Sequence, residues 1–115
     1  MAQPTIHIDL RGPAEGVKIL DIQGEITGSA EDSISAAYAA AGSEATTIIL
    51  NLSEVQSVNS LGAGLLITLV AHARKRRQRL LAYGLSETCR QAFRLTHLDE
   101  VVGIYTDEAE ALGSL

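Results

Sequence analysis

Few side chains in this sequence have both the type and the setting to do chemistry, and Ser60 is the foremost of them. It lies in Asn59-Ser60-Leu61-Gly62-Ala63-Gly64, after an apolar run that ends at Leu52 and before a long helical pattern. Such a pattern predicts a buried strand, a tight connection and a helix start. Ser60 is then either the N-cap of that helix or, with Asn59 as the cap, a residue of its first turn. In both cases its hydroxyl lies beside unpaired backbone N–H groups at the positive end of the helix dipole, where an attached anion is tolerated. Judged by position alone, most serines at helix starts do no more than accept a backbone N–H.

The other candidates point away from catalysis. His7, His72 and His97 fall in three separate segments, with no His-x-x-x-His or Cys/His spacing, so each reads as a surface or capping residue and no metal site is expected. Gly62-Ala63-Gly64 lacks the spacing of a dinucleotide fingerprint or a P-loop, and no cofactor is expected. Asn59-Ser60-Leu61-Gly62 is not the Gly-x-Ser-x-Gly elbow of a serine hydrolase, and no histidine is nominated as its base. Cys89 falls on an apolar helical face with Ala92 and Phe93 and reads as a small core residue rather than a nucleophile. The chain is therefore expected to carry no catalytic machinery of its own.

The elements that position Ser60 follow from periodicity. Ile6, Ile8 and Leu10 alternate with His7, Asp9 and Arg11 as in a half-buried strand, and Arg11 to Gly16 reads as a turn cluster. Val17 to Ile22 is a second strand. Ser29 with Asp32 resembles a capping box, after which Ile34, Ala37, Tyr38 and Ala41 share a helical face that Gly42 ends. Thr47 to Leu52 has the nearly unbroken apolar character of a central strand. The helix after Ser60 has Leu61, Leu65, Leu66, Leu69, Val70 and Ala73 on its expected inner stripe, and Gly62 and Gly64 suggest close backbone approach or access to Ser60. Arg74 to Arg79 holds five of the nine basic residues and reads as a solvated helix end where cations offset the dipole. Leu80 to Tyr83 and Val101 to Tyr105 are further strands, separated by a helix after Ser86 and followed by a short helix from Asp107. Two strands, then alternating helix and strand, imply an α/β fold with crossovers and parallel pairs.

Composition bounds the partners. A chain of 115 residues with 46% hydrophobic content is one domain able to bury a core. Its net charge of −5, with three Tyr, one Phe and no Trp, argues against nucleic acid and leaves protein partners. One cysteine fits a reducing compartment. Met1-Ala2-Gln3-Pro4 does not open a leader and no run approaches the roughly 20 apolar residues of a membrane span, so a cytoplasmic location is expected.

The stretch Leu50-Asn51-Leu52-Ser53-Glu54-Val55, with Asn59-Ser60-Leu61-Gly62 after it, resembles the STAS family of anti-sigma-factor antagonists. In that family a strand of the type Leu-Asn-Leu-Ser-x-Val leads to an Asp-Ser-Ser-Gly-like motif, then Leu-Gly and a helix. Gln23-Gly24-Glu25-Ile26-Thr27 stands where the family shows Gly-Glu-Leu-Asp, and Ser86 to Leu98 resembles its third helix. The resemblance implies a single STAS-like domain over residues 1–115, its core spanning about 6–112, with a mixed sheet of about five strands and about four helices packed on it. It also implies a partner switch: the unmodified protein docks on an anti-sigma factor that is a serine kinase, the kinase phosphorylates Ser60, and a PP2C-type phosphatase resets it. Thr27, Asn59, Ser60, Leu61, Gly62, Ala63 and Gly64 would form the docking surface. Asn59 and Thr27 replace acids of the family pattern, and Leu61 replaces its second hydroxyl. Other roles within the same resemblance are a stressosome-type scaffold and a transporter's STAS subunit that binds an ABC ATPase.

Overall fold

The apolar run that leads to Ser60 forms the middle of a sheet. The structure, a computed structural model, describes residues 6–115. Five strands, β1 (Ile6–Ala14), β2 (Val17–Ile26), β3 (Thr47–Val58), β4 (Arg79–Tyr83) and β5 (Gly103–Tyr105), pair in the order β1-β2-β3-β4-β5. The β1/β2 hairpin is antiparallel and the other three pairings are parallel. Parallel neighbours need crossovers. These are α1 (Glu31–Ala41), α2 (Ser60–Lys75) and α3 (Glu87–Leu95), and α4 (Glu108–Gly113) closes the chain. The mixed sheet and four α-helices are those of the expected α/β domain. The leader-free reading of Met1 to Pro4 lies outside the described residues, among which no helix is long and apolar enough to cross a membrane.

Strand alternation divides the apolar residues between two faces. Leu20, Ile22, Ile48, Leu50, Leu52, Leu80 and Ala82 join Ile34 and Tyr38 of α1, Leu66, Leu69 and Val70 of α2, and Cys89 and Phe93 of α3 in the main core. Val17, Ile19, Ile49, Leu81 and Tyr83 form a smaller rear layer with Ala111 of α4. Cys89 is fully buried, as its place on an apolar helical face predicts.

Several boundaries differ from the sequence reading for identifiable reasons. β1 continues through Pro13 instead of turning at Arg11, because an edge strand tolerates proline and a register shift falls between Arg11 and Ala14. β3 runs through the polar residues after Leu52 to Val58, held by continued pairing with β2 out to Ile26↔Val58. The capping box at Ser29 does not form. Gly28–Ala30 is a 3-10 turn, Ala30 precedes α1 without a side-chain cap, and the Ser29 hydroxyl instead bonds that of Thr27 at 2.9 Å. The basic run is exposed at the end of α2 apart from Gln78, which is buried. The Gln78 amide donates to the carbonyls of Gly42 and Ala45, and its oxygen accepts from Tyr38, so it fastens the α1–β3 connection.

A polar clamp secures the rear face. Arg11 Nη2 donates to Asp21 Oδ1 at 2.8 Å and to Glu108 Oε1 at 2.6 Å. Tyr83 donates its hydroxyl to the same Glu108 oxygen at 2.9 Å, and Asn51 donates its amide to Asp21 Oδ1 at 2.8 Å. A six-residue helix has little stability of its own. α4 therefore depends on this clamp and on its contacts with the apolar layer. Hydrogen bonds from Arg11 hold the Asp21 and Glu108 carboxyls below their ordinary range, while burial, then Glu108, pushes Tyr83 up to about 12. Carboxyls lowered in the folded state contribute fully above their unfolded values, near 4, and lose that contribution as pH falls through the folded ones. The raised tyrosine stabilises below about pH 10 and loses that contribution as pH climbs toward its folded value. Thermal unfolding followed across pH should show Tm declining below about pH 4 and above about pH 10. Arg11→Met should flatten the acid limb; a parental acid limb in that variant would place the titrating groups elsewhere.

Candidate functional site

β2 and β3 end side by side, and the turn into α2 is built on that end. The Asn59 N–H donates to the carbonyl oxygen of Ile26 at 3.2 Å. With Asn59 extended, its side-chain oxygen accepts the Gly62 N–H at 2.8 Å and its carbonyl accepts that of Ala63 at 2.8 Å. Asn59 is therefore the N-cap and Ser60 the first helical residue, the second of the two arrangements open from sequence. The capping role is filled by the neighbour, and Ser60 is exposed.

Gly62 shows why the helix starts here. A Cβ on Gly62 would stand 1.8 Å from the Ile26 oxygen and 2.4 Å from its carbonyl carbon, so only a hydrogen fits between the first turn and the end of β2. Gly64 is different. Nothing lies within 4 Å of a Cβ placed there. Close approach thus explains the first glycine, and an open surface surrounds the second. Gly62 is buried beneath that surface, and Ala63 is nearly so.

Leu61 corrects the expected inner stripe: it is 70% exposed, while Leu66, Leu69, Val70 and Ala73 are buried. The Asn59 cap and the close approach of Gly62 to Ile26 fix the rotation of the helix so that Gly62 and Ala63 face the sheet, which turns Leu61 outward. Its side chain lies over Gly28, where a Cβ would meet Leu61 Cδ1 at 3.0 Å. That contact brings the Thr27–Ser29 turn beside the first turn of α2, so Thr27 joins Asn59, Ser60 and Leu61 at one corner of the molecule.

A groove of about 300 Å³ opens next to Ser60. Val58, Asn59, Ser60, Ala63, Gly64 and Ile67 line it from the β3–α2 side, and Ala92, Leu95 and Thr96 from α3. Ile67 is 45% exposed and Leu95 77%. Sequence reasoning missed Ile67, Leu95 and the groove. The available signal was an isoleucine off the inner stripe of one helix and a leucine off the apolar face of another, neither explained by the core. Their proximity required the tertiary fold.

The remaining candidates do not converge on this corner. His7 contacts Asp9, His97 contacts Glu100, and His72 lies against Tyr38 with ring centroids 6.3 Å apart. Among the described residues no group of three or more His, Cys, Asp or Glu could hold a metal. What the corner offers is an accessible hydroxyl on a rigid helix start, bordered by apolar surface.

Comparison with known proteins is consistent along the chain. The family model for the STAS domain matches residues 12–111. An anti-sigma factor antagonist from Mycobacterium paratuberculosis superposes with a TM-score of 0.82 at 21% identity, covering 99% of this chain and 97% of that one. A sulfate transporter family protein from Wolinella succinogenes gives 0.79 at 20% identity, covering 90% and 88%. The Bacillus cell fate determinant SpoIIAA, in its phosphorylated form, gives 0.72 at 25% identity, covering 94% and 98%. No curated protein matches the sequence.

The two glycines should separate in a stability measurement. Gly62→Ala must push α2 off the Ile26 carbonyl and should cost at least about 2 kcal/mol in denaturant unfolding. Gly64→Ala should be neutral or stabilise by up to about 1 kcal/mol. Equal effects at both positions would contradict the packing described.

Proposed function

We propose, from the premise that this chain belongs to the STAS domain family, that it is an anti-sigma-factor antagonist whose partner binding is switched by phosphorylation of Ser60. The observation that carries this reading is the exposed Ser60 hydroxyl at the start of α2, with the N-cap role already taken by Asn59. The partner is an anti-sigma factor that is also a serine kinase. In the transfer, Ser60 Oγ attacks the γ-phosphorus of ATP held by that kinase. The new O–P bond forms as the bond to the β–γ bridging oxygen breaks, ADP leaves, and the hydroxyl proton passes to a base of the kinase. A PP2C-type phosphatase resets the site: water adds to phosphorus, inorganic phosphate leaves and Ser60 regains its proton. This chain supplies the acceptor and the docking surface, and the chemistry belongs to its partners. A kinase using ATP to control a sigma factor places the switch in the cytoplasm.

The energetics are sufficient without refolding. Phosphate adds about −1.5 to −2 charges at neutral pH. Within the first turn, the Gly62 and Ala63 N–H groups are taken by Asn59, which leaves those of Ser60 and Leu61 to face the anion. The modified protein is thus tolerant of the charge, whereas a partner covering Ser60, Leu61 and Gly64 is not. An unpaired charge in such an interface costs about 2–5 kcal/mol, or about 30- to several-thousand-fold in affinity. Thr27 and Asn59 border the surface, and Gly62 and Ala63 set its shape from below. The phosphorylated form in which SpoIIAA was solved supports the same reading.

The likeness to a sulfate transporter family protein favours one other reading, a transporter's STAS subunit that binds an ABC ATPase independently of Ser60. Incubation with ATP and the cognate anti-sigma kinase, followed by peptide mass spectrometry that separates Ser57 from Ser60, distinguishes the two. Phosphate is expected at Ser60 and absent from Ser60→Ala, and Ser60→Asp should bind the kinase at least about 30-fold more weakly. No phosphate at Ser60, or parental binding by Ser60→Asp, would remove the switch. Co-purification with an ABC ATPase would replace it.

A further inference from the structure

We propose that the Ser60 corner recognises its protein partner by an uncharged contact, with a leucine-, methionine- or phenylalanine-sized side chain of the partner seated in the groove between α2 and α3 against Ile67 and Leu95. This deepens the partner-switch reading and rests on it for the identity of the partner.

Charge is absent from the lining. Asp, Glu, Lys and Arg make up 20% of the chain, yet none of the nine residues that line the groove is charged. The first turn of α2 holds no acid. Polarity inside the groove is also partly spent. Asn59 accepts from Gly62, and the Thr96 hydroxyl donates to the Ala92 carbonyl at 2.7 Å. Of the three polar side chains in the lining, that leaves the Ser60 hydroxyl and the amide N–H groups of Asn59. Among these side chains a partner's cation would lose its hydration without meeting a counter-charge and an anion would meet only the backbone N–H groups at the start of α2, whereas an apolar group would lose nothing.

Two large apolar side chains stand exposed at the groove. Leu95 projects from α3 beside exposed Arg90, Gln91 and Arg94, and Ile67 lies outside the core stripe of α2. Two large apolar side chains flanking one cavity form the kind of centre from which interfaces draw most of their affinity. The way the phosphate acts follows from this. A phosphate on Ser60 would oppose an apolar plug through its own desolvation, and salt, which screens exposed charge pairs, would change that opposition little.

Two measurements on the unmodified protein test the proposal. In the first, the ¹⁵N-labelled chain is titrated with benzyl alcohol, an uncharged apolar probe. Saturable shifts confined to the amides around Ala63, Gly64, Ile67, Ala92 and Leu95 are expected, unchanged between about 0.05 and about 0.5 M NaCl. In the second, binding to the anti-sigma kinase should change by less than about threefold over the same salt range. Ile67→Ala and Leu95→Ala should each weaken it by about tenfold or more with Tm unchanged. Scattered or absent shifts, a salt dependence above about tenfold, or parental affinity in both variants would overturn the uncharged contact. Failure to find phosphate on Ser60 would remove the switch but leave these results readable, since neither measurement uses the modified protein.

Discussion

The carbonyl group of Ile26 is the point on which the corner depends. It ends the parallel pairing of β2 with β3, accepts the N–H of Asn59, and comes so close to the first turn of α2 that residue 62 can have no side chain. Strand end, cap and helix start are thereby fixed relative to one another by backbone atoms, which vary less in position than side chains. Ser60 inherits that precision without taking part in it. Its hydroxyl is held in place by neighbours that satisfy each other, and the surface it presents can be modified without disturbing what positions it.

The two faces of the sheet divide the work. The front face, under α1, α2 and α3, holds the larger core and ends at the exposed corner. The rear face has a thin apolar layer and a charged clamp that ties β1, β2, β4 and α4 together through Arg11, Asp21, Tyr83 and Glu108. Among the described residues the Arg11–Asp21–Glu108 clamp therefore lies on the rear, while the groove beside Ser60 is lined without charge. Under the proposed switch, that separation would let a phosphate be added on one side while the ion pairs that hold the other remain as they are.

Local signals carried most of this architecture. The apolar run before Ser60, the hydroxyl followed by glycines and the later helical stripes placed β3, α2 and α3 correctly, because burial and capping leave marks within a few residues. Boundaries were lost where long-range pairing overrode those marks, as in the polar second half of β3, which β2 holds in the sheet. Leu61 was misplaced because the orientation of α2 is set by Gly62 against Ile26, a contact between residues 36 positions apart. The clamp around Arg11 was invisible for a similar reason, since its members come from five elements. Ile67 and Leu95 were each legible as apolar residues without a core to join, but their common cavity was not.

Gly64 has a consequence of its own. Its Cα faces open space at the edge of the groove, so nearly any side chain placed there would alter the shape seen by a visiting protein while leaving the packing beneath untouched. If the proposed switch holds and a cell keeps several proteins of this fold, such a position would allow copies to diverge in whom they recognise by a single change, and cross-talk between them to be reduced without loss of foldability.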